Sequence, residues 1–319
     1  MSHPLSYLQG QSAQSAWVTP LLLFTLAVSI AVIVIIAALV LAGSLRARAH
    51  GGDAETRGVA LTQGGQGVRW IWIGVGVSMI PLLATLVWTV AVLAHVGPVP
   101  RNPRLTIDVT AHQWWWDARY DGSPPDQIFR TANEIHVPVG EPVLLRLHGG
   151  DVIHSFWVPR LTMKMDVIPG QTNLAWIQAE APGRYRGQCA EFCGAQHAHM
   201  AFEVVAESRA DFEHWRRAQL QTAPPPLTQA QAGGLALFAF RCGTCHAVRG
   251  TEAGATVAPD LTHLMSRATI AAGTLPNNPP SLAGWIENPQ SIKPGALMPD
   301  QGLSARELNA VTAYLETLR

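Results

Sequence analysis

The chain is short of charge. Asp, Glu, Lys and Arg make up 14% of its 319 residues, against about 25% in ordinary soluble proteins. Its 22 basic and 22 acidic residues cancel, and neither sign gathers on one segment. That excludes the basic surface a nucleic acid partner requires. Residues 1–20 hold no Lys or Arg, and no Asp or Glu occurs between Glu55 and Asp108. Cysteine is scarce, with four residues, all beyond position 188. No internal repeat is present, and biased composition is confined to the glycine-rich stretch at 64–67 and to Pro224-Pro-Pro226.

Uncharged apolar sequence stands in place of the missing charge. Leu21–Ala42 and Trp70–Val99, the second containing Pro81, each exceed the ~18 residues that separate a membrane span from a buried core helix. This predicts two transmembrane helices. A signal peptide is the other reading of the first run, supported by Ala47-Arg-Ala49 alone; an uncharged tail before so long a run fits an h-region poorly. Arg46, Arg48, Arg57 and Arg69 lie between the runs. The positive-inside bias therefore puts this loop in the cytoplasm and both termini outside.

The chain after about Arg101 is then extracytoplasmic. Segments 105–110, 134–139, 142–147, 174–178 and 201–205 read as strands between Pro and Gly turns, a spacing that suits a β-sandwich or Greek-key barrel. Ser208 reads as the N-cap of a short helix reaching Leu220, and Pro224-Pro-Pro226 stiffens a spacer behind it. From Leu227 the periodicity is helical. Ser304-Ala-Arg-Glu307 forms a capping box before a helix that aligns Leu308, Val311, Leu315 and Leu318. The expected division is 1–100 for tail and hairpin, 101–206 for an all-β domain, 207–226 for helix and linker, and 227–319 for an all-α domain.

Four cysteines on the oxidising side suggest two disulfides, but their spacing argues otherwise. Cys242-Gly-Thr-Cys245-His246 is C-x-x-C-H, whose thiols can add to the vinyl groups of a haem while the imidazole ligates the iron. A redox C-x-x-C pair would want a βαβ setting, which is absent. Met298 lies far enough downstream to close the other axial side, with Met265 as its competitor; a Met/His pair suits electron transfer. The second cluster runs from Cys189 through Cys193 and His197 to Met200. Zinc takes Cys and His but has no use for a thioether. Soft thiolates with imidazole and methionine favour copper, and two thiolates suggest two bridged coppers. Each copper then needs an imidazole, and Asp151-Val-Ile-His154 offers the second. His199 is the alternative to His197, while His148, before Gly149-Gly150, reads as part of a turn.

Residues 227–319 resemble class I cytochrome c. The likeness rests on C-x-x-C-H, Ala258-Pro259-Asp-Leu261, Trp285-Ile-Glu-Asn-Pro289, Lys293-Pro-Gly295-Ala-Leu-Met298-Pro299 and the segment from Glu307 to Leu315. It implies that the Pro259 carbonyl holds the His246 ring. Residues 17–206 resemble subunit II of the haem-copper cytochrome c oxidases. Here the matching pieces are His112-Gln-Trp114-Trp-Trp116, His154-Ser-Phe-Trp157-Val-Pro159, Lys164-Met-Asp166-Val-Ile-Pro169-Gly170 and residues 189–200. This resemblance implies a cupredoxin Greek-key barrel with a binuclear CuA centre. Its ligands would be His154, Cys189, Cys193, His197, Met200 and the carbonyl of Glu191, whose side chain would face a magnesium ion shared with subunit I. Trp114 would be where electrons enter, plain aromatic packing being the other reading of these tryptophans.

Together the resemblances imply a multidomain membrane protein that relays electrons. An external donor such as cytochrome c or the bc1 complex would reduce a covalent haem c, then CuA, then subunit I, where oxygen becomes water and protons are translocated. Subunits I and III would be partners, the site the bacterial inner membrane with the metal domains on its periplasmic side, and nucleic acid no partner. The alternative is the CuA-bearing subunit of a nitric oxide reductase. One departure stands out: Arg69-Trp70 occupies the place where many relatives carry a proton-admitting glutamate. Glu55 or an acid of subunit I is expected to take that role.

Overall fold

The computed structural model describes residues 5–49, 66–122 and 124–319. Glu55 and Arg57 lie outside the described residues. The chain divides into two units, Met1–Ser15 with Val99–Arg319, and Ala16–Pro98.

The second unit is a helical hairpin built from α1 (Ala13–Ala49) and α2 (Gln66–Val96). Apolar stretches of 34 and 29 residues exceed the ~20 needed to cross a bilayer. Their apolar windows are 0% and 6% buried, so these are not core helices. Side chains such as Leu39 and Val87 are exposed, and a helix apolar all round needs lipid or protein about it. Trp17 stacks on His95 with ring centroids 3.9 Å apart, and Phe24 meets Trp88 at 5.3 Å. Helix α1 extends past its predicted run at both ends, whereas α2 starts before Trp70 but stops at Val96, ahead of Gly97-Pro98.

The first unit opens with ten strands: β1 (Leu105–His112), β2 (Trp115–Tyr120), β3 (Phe129–Ala132), β4 (Glu134–Pro138), β5 (Val143–Gly149), β6 (His154–Trp157), β7 (Met165–Val167), β8 (Thr172–Ile177), β9 (Gly183–Cys189) and β10 (Ala201–Glu207). They form two five-stranded sheets, ordered β3-β2-β1-β5-β8 and β4-β10-β9-β6-β7. Pairing is antiparallel except for β1 with β5 and β4 with β10, the mixed Greek-key arrangement of a cupredoxin. Strict alternation drives it. In β1, Leu105, Ile107, Val109 and Ala111 face inward, while Thr106, Asp108, Thr110 and His112 do not. Trp116, Tyr120, Phe156 and Phe202 fill the core, each full burial contributing roughly 1.5–3 kcal/mol. His148 is not a turn residue; it lies in β5, its Nε2 3.2 Å from Asp108. The N-terminal tail completes the sandwich. Ser12 bridges Ala179, the Gln11 N–H donates to the Arg160 carbonyl at 2.9 Å, and Gln14 donates to the Trp176 carbonyl at 2.9 Å.

Behind the sandwich, α3 (Arg209–Gln219) is capped by Ser208, which accepts the Asp211 N–H, as expected. Then follow α4 (Gln229–Arg241), the two-residue strands β11 (Thr269–Ile270) and β12 (Leu275–Pro276), α5 (Pro279–Glu287), α6 (Pro289–Ile292) and α7 (Ala305–Leu315). The Ser304/Glu307 capping box forms at the start of α7, whose Val311 and Leu315 join Leu318, Phe238 and Tyr314 in a second core. Helices α4 and α7 cross closely at Gly234, where a Cβ would strike the Ala310 carbonyl.

The sandwich and the helical module meet through directed bonds. The Ala268 N–H donates to Glu134 at 2.8 Å, the Ala201 N–H to the Ala272 carbonyl at 3.1 Å, and the Gln196 amide to the Pro294 carbonyl at 2.7 Å. The linker is also held: Arg249 donates to the Gln219 carbonyl, and the Ala223 N–H donates to Arg249 at 3.0 Å.

Candidate metal centre

Neighbouring strands deliver the ligand-type residues. Cys189 ends β9 opposite Phe156 of β6, and His154 opens β6. Residues 190–200 then fold back, tied by the Cys189 N–H to Met200 (3.1 Å) and the Ala190 N–H to Ser155 (3.0 Å). Gly194 has φ +115° and lies against Trp114, so both backbone conformation and space require glycine there.

Six donor groups converge. The Cys189 and Cys193 sulfurs are 3.8 Å apart, nearly twice the ~2.05 Å of a disulfide, and both thiols are free. His154 Nδ1 is 3.8 Å from the Cys189 sulfur, and His197 Nδ1 is 3.6 Å from the Cys193 sulfur. Met200 Sδ stands 3.8 Å from the Cys193 sulfur, and the Glu191 carbonyl 3.2 Å from that of Cys189. Each sulfur therefore has its own imidazole. His199 instead gives its Nδ1 to Gln196 at 2.8 Å.

The hydrogen bond from Cys193 draws the Cys189 thiol well below the usual range, and the same bond pushes Cys193 well above it. Two adjacent thiolates repel, so both ionise together only with cations between them. The donor set thus fits a soft metal. Asp151 holds His154 Nε2 at 2.8 Å, fixing the ring so that Nδ1 faces the sulfur. Burial opposes the charge of Asp151, but hydrogen bonds from His154, the Gln113 N–H and the Val152 N–H outweigh it and keep the carboxyl below its ordinary range.

The helical module holds a mostly apolar cleft lined by Cys242, Cys245, His246, Leu282, Trp285 and Met298, among others. His246 gives its Nδ1 to the Pro259 carbonyl at 2.8 Å, leaving Nε2 as its other ring nitrogen. Met265 packs against the module core and Met298 lines the cleft. Arg267, buried in the same cleft, donates to the Asp260 carbonyl, and its Nε has no partner among the described residues. An apolar slot with thiols, an imidazole, a thioether and one orphaned cationic donor fits a haem, whose carboxylates would answer the guanidinium.

Trp114 stands between the two places. Its indole N–H donates to the Cys193 carbonyl at 3.0 Å, beside the Gln113 amide at 2.7 Å, and it also lines the cleft. Trp115 stacks on His112 at 4.6 Å, and Trp116 is core. Sequence reasoning passed over Asp151, Gln113 and Arg267. Only Asp151 left a signal there, since a ligating histidine needs a partner for its second nitrogen and Asp151 lies three residues ahead.

A β-sandwich with paired thiolates and imidazoles, joined to a C-x-x-C-H module and a membrane hairpin, defines a membrane protein of the copper–haem class. Residues 123–208 match the family described as Cytochrome C oxidase subunit II, periplasmic domain, and residues 231–319 match Cytochrome c. Cytochrome c oxidase subunit 2 of Alkalihalophilus pseudofirmus is 33% identical over 99% of this chain and 91% of its own. That of Bacillus sp. is 32% identical over 81% of this chain and 76% of its own. The periplasmic domain of subunit II of cytochrome oxidase from Bradyrhizobium japonicum is 32% identical, covering 38% of this chain and 96% of that one, with a TM-score of 0.36. The chain belongs to the cytochrome c oxidase subunit II family and carries a cytochrome c domain. It is thus a subunit of a haem-copper oxidase complex, with a copper domain and a haem domain.

Proposed function

We propose that the chain is an internal electron relay of a proton-translocating oxidase, carrying electrons from an external donor through haem c and a binuclear copper centre to subunit I. The observation that carries this reading is the 3.8 Å thiol pair with one imidazole nitrogen close to each sulfur, a donor set with one imidazole for each thiol. His154, Cys189, Cys193, His197, Met200 and the Glu191 carbonyl would hold the coppers. Copper held by these residues would supply one-electron transfer within a rigid site. Cys242 and Cys245 would attach the haem, with His246 and Met298 as axial ligands, a pairing that raises its potential. Trp114 would pass electrons from the cleft to Cys193. Glu191 also presents an exposed side chain; one carboxylate does not hold magnesium alone, so the remaining ligands would belong to subunit I. Subunit III and the bacterial inner membrane complete the setting.

The residues contribute by position. Asp151 keeps the His154 ring turned toward sulfur, and the Pro259 carbonyl fixes the His246 ring. The test is metal and haem analysis of the complex, with electron paramagnetic resonance. Two coppers and one covalent haem per chain, with a spectrum split by two equivalent nuclei and oxygen uptake on reduced cytochrome c, are expected. One copper per chain, or nitric oxide as the sole acceptor, would overturn the reading.

A further inference from the structure

Lys293 is 3% exposed, yet it reaches across the boundary between the two modules. Its ammonium donates to the Trp114 carbonyl at 2.7 Å and to the Ala271 carbonyl of its own module at 3.2 Å. No ion pair within 4 Å forms at Lys293 among the described residues. Burying an ammonium against carbonyls alone is costly. Burial pulls its pKa down to about 7. The chain has only one other lysine, Lys164, among its 22 basic residues, so this buried position holds a compact ammonium in a chain that otherwise uses arginine.

The residues beside Lys293 make the same crossing. The Pro294 carbonyl accepts from Gln196 of the sandwich at 2.7 Å, and the α-carbon of Gly295 faces the Trp114 ring, which a Cβ would meet at 3.6 Å. Met298 lies three residues on, and the Trp114 indole is bonded to the Cys193 carbonyl. A continuous set of contacts thus runs from the Met298 loop through Lys293 and Trp114 to the backbone carbonyl of Cys193.

We infer that Lys293 is a positioning residue for the internal transfer, its ammonium seating the Met298 loop on Trp114 and fixing the separation the electron crosses. The inference rests on the relay reading above. Removing the donor at Lys293 frees the loop from the tryptophan while leaving every proposed metal and haem ligand in place.

The test uses the assembled oxidase with full-length Lys293→Met, Lys293→Arg and Gln196→Ala chains. Flash reduction of the haem followed by copper reoxidation gives the internal rate. It should fall severalfold in Lys293→Met, because the loop is no longer held against Trp114, and recover in part in Lys293→Arg. The methionine-ligation band of the haem and the copper resonance signal should persist. Amine acylation supplies a second readout, because exposed Lys164 is an internal reference. Lys293 should stay unmodified in the wild-type complex while Lys164 reacts fully, and should become reactive in Gln196→Ala. A wild-type complex without haem-to-copper transfer would sink the relay reading itself. Normal transfer in wild type with an unchanged rate in Lys293→Met would overturn the role of Lys293 alone. If Lys293→Met loses haem or copper, Gln196→Ala decides: an unchanged rate, or a wild-type Lys293 that reacts as fast as Lys164, overturns the proposal.

Discussion

Two adjacent glycines of α4 offer opposite outcomes from one substitution. A Cβ on Gly234 would strike the Ala310 carbonyl oxygen and lie 2.7 Å from the Ala310 carbonyl carbon and 2.8 Å from Tyr314 Cβ, whereas one on Gly233 meets nothing within 4 Å. The obstructing atoms include backbone of α7, so no side chain can rotate away and the helices must part. Overpacking of this kind costs about 1–3 kcal/mol, offset by the ~1 kcal/mol that alanine gains over glycine in a helix. We expect Gly234→Ala to lose about 2 kcal/mol net, near the upper end because backbone is struck. Gly233→Ala should gain up to ~1 kcal/mol. For a domain of under about 100 residues each kcal/mol moves Tm by roughly 4–8 °C. The two variants should therefore melt well apart, on either side of the wild type, when thermal unfolding is followed by haem absorbance. A Gly234→Ala chain melting at or above the wild type would refute the packing argument.

Further outcomes follow from the site. Asp151→Asn should weaken copper binding about 10–100-fold through loss of the His154 partner, read by competition with a copper chelator. Cys193→Ser should lower the copper content and abolish the two-nucleus splitting, whereas a retained split spectrum would remove Cys193 from the ligand set. Met298→Leu should lower the haem potential in a redox titration, while Met265→Leu should leave it unmoved. At Glu134, burial opposes the charge, but bonds from His136, the Ala268 N–H and Arg184 outweigh it and hold the carboxyl below its ordinary range. Its folded pKa is thus below the unfolded value. The stabilisation is fully present above about 4.5 and lost as pH falls through the folded pKa. The protection factor of the Ala268 amide, corrected for the intrinsic pH dependence of exchange, should fall in that acid window, and Glu134→Gln should flatten the response.

Much of this architecture was legible because its signals are local. The apolar runs, the alternation of β1, the Ser208 cap and the Ser304/Glu307 box each need only a few adjacent residues. The donors within residues 189–200 and within 242–246 were legible for the same reason, whereas His154 and Met298 lie far from them in the sequence and the full copper ligand set came from the family resemblance. Strands β2, β3, β6, β7 and β9 were not among the five segments anticipated. In β2 the buried Asp117 interrupts the pattern, and in β9 Arg184 and Arg186 alternate with residues as small as Gly187. Lys293 could not be read as a contact of Trp114, because 179 residues separate them and nothing local marks a lysine that crosses between modules.

The tail seen at Ser12 and Gln14 sets an order on assembly. The sandwich takes a bridge at Ala179 from residues that precede the hairpin in the chain. With both flanks of the hairpin committed to one fold on the outer face, the domain cannot close until its leading segment has crossed the bilayer. Cleavage behind Ala49 would strip that segment away, so membrane insertion and completion of the metal-bearing domain become a single, mutually dependent event.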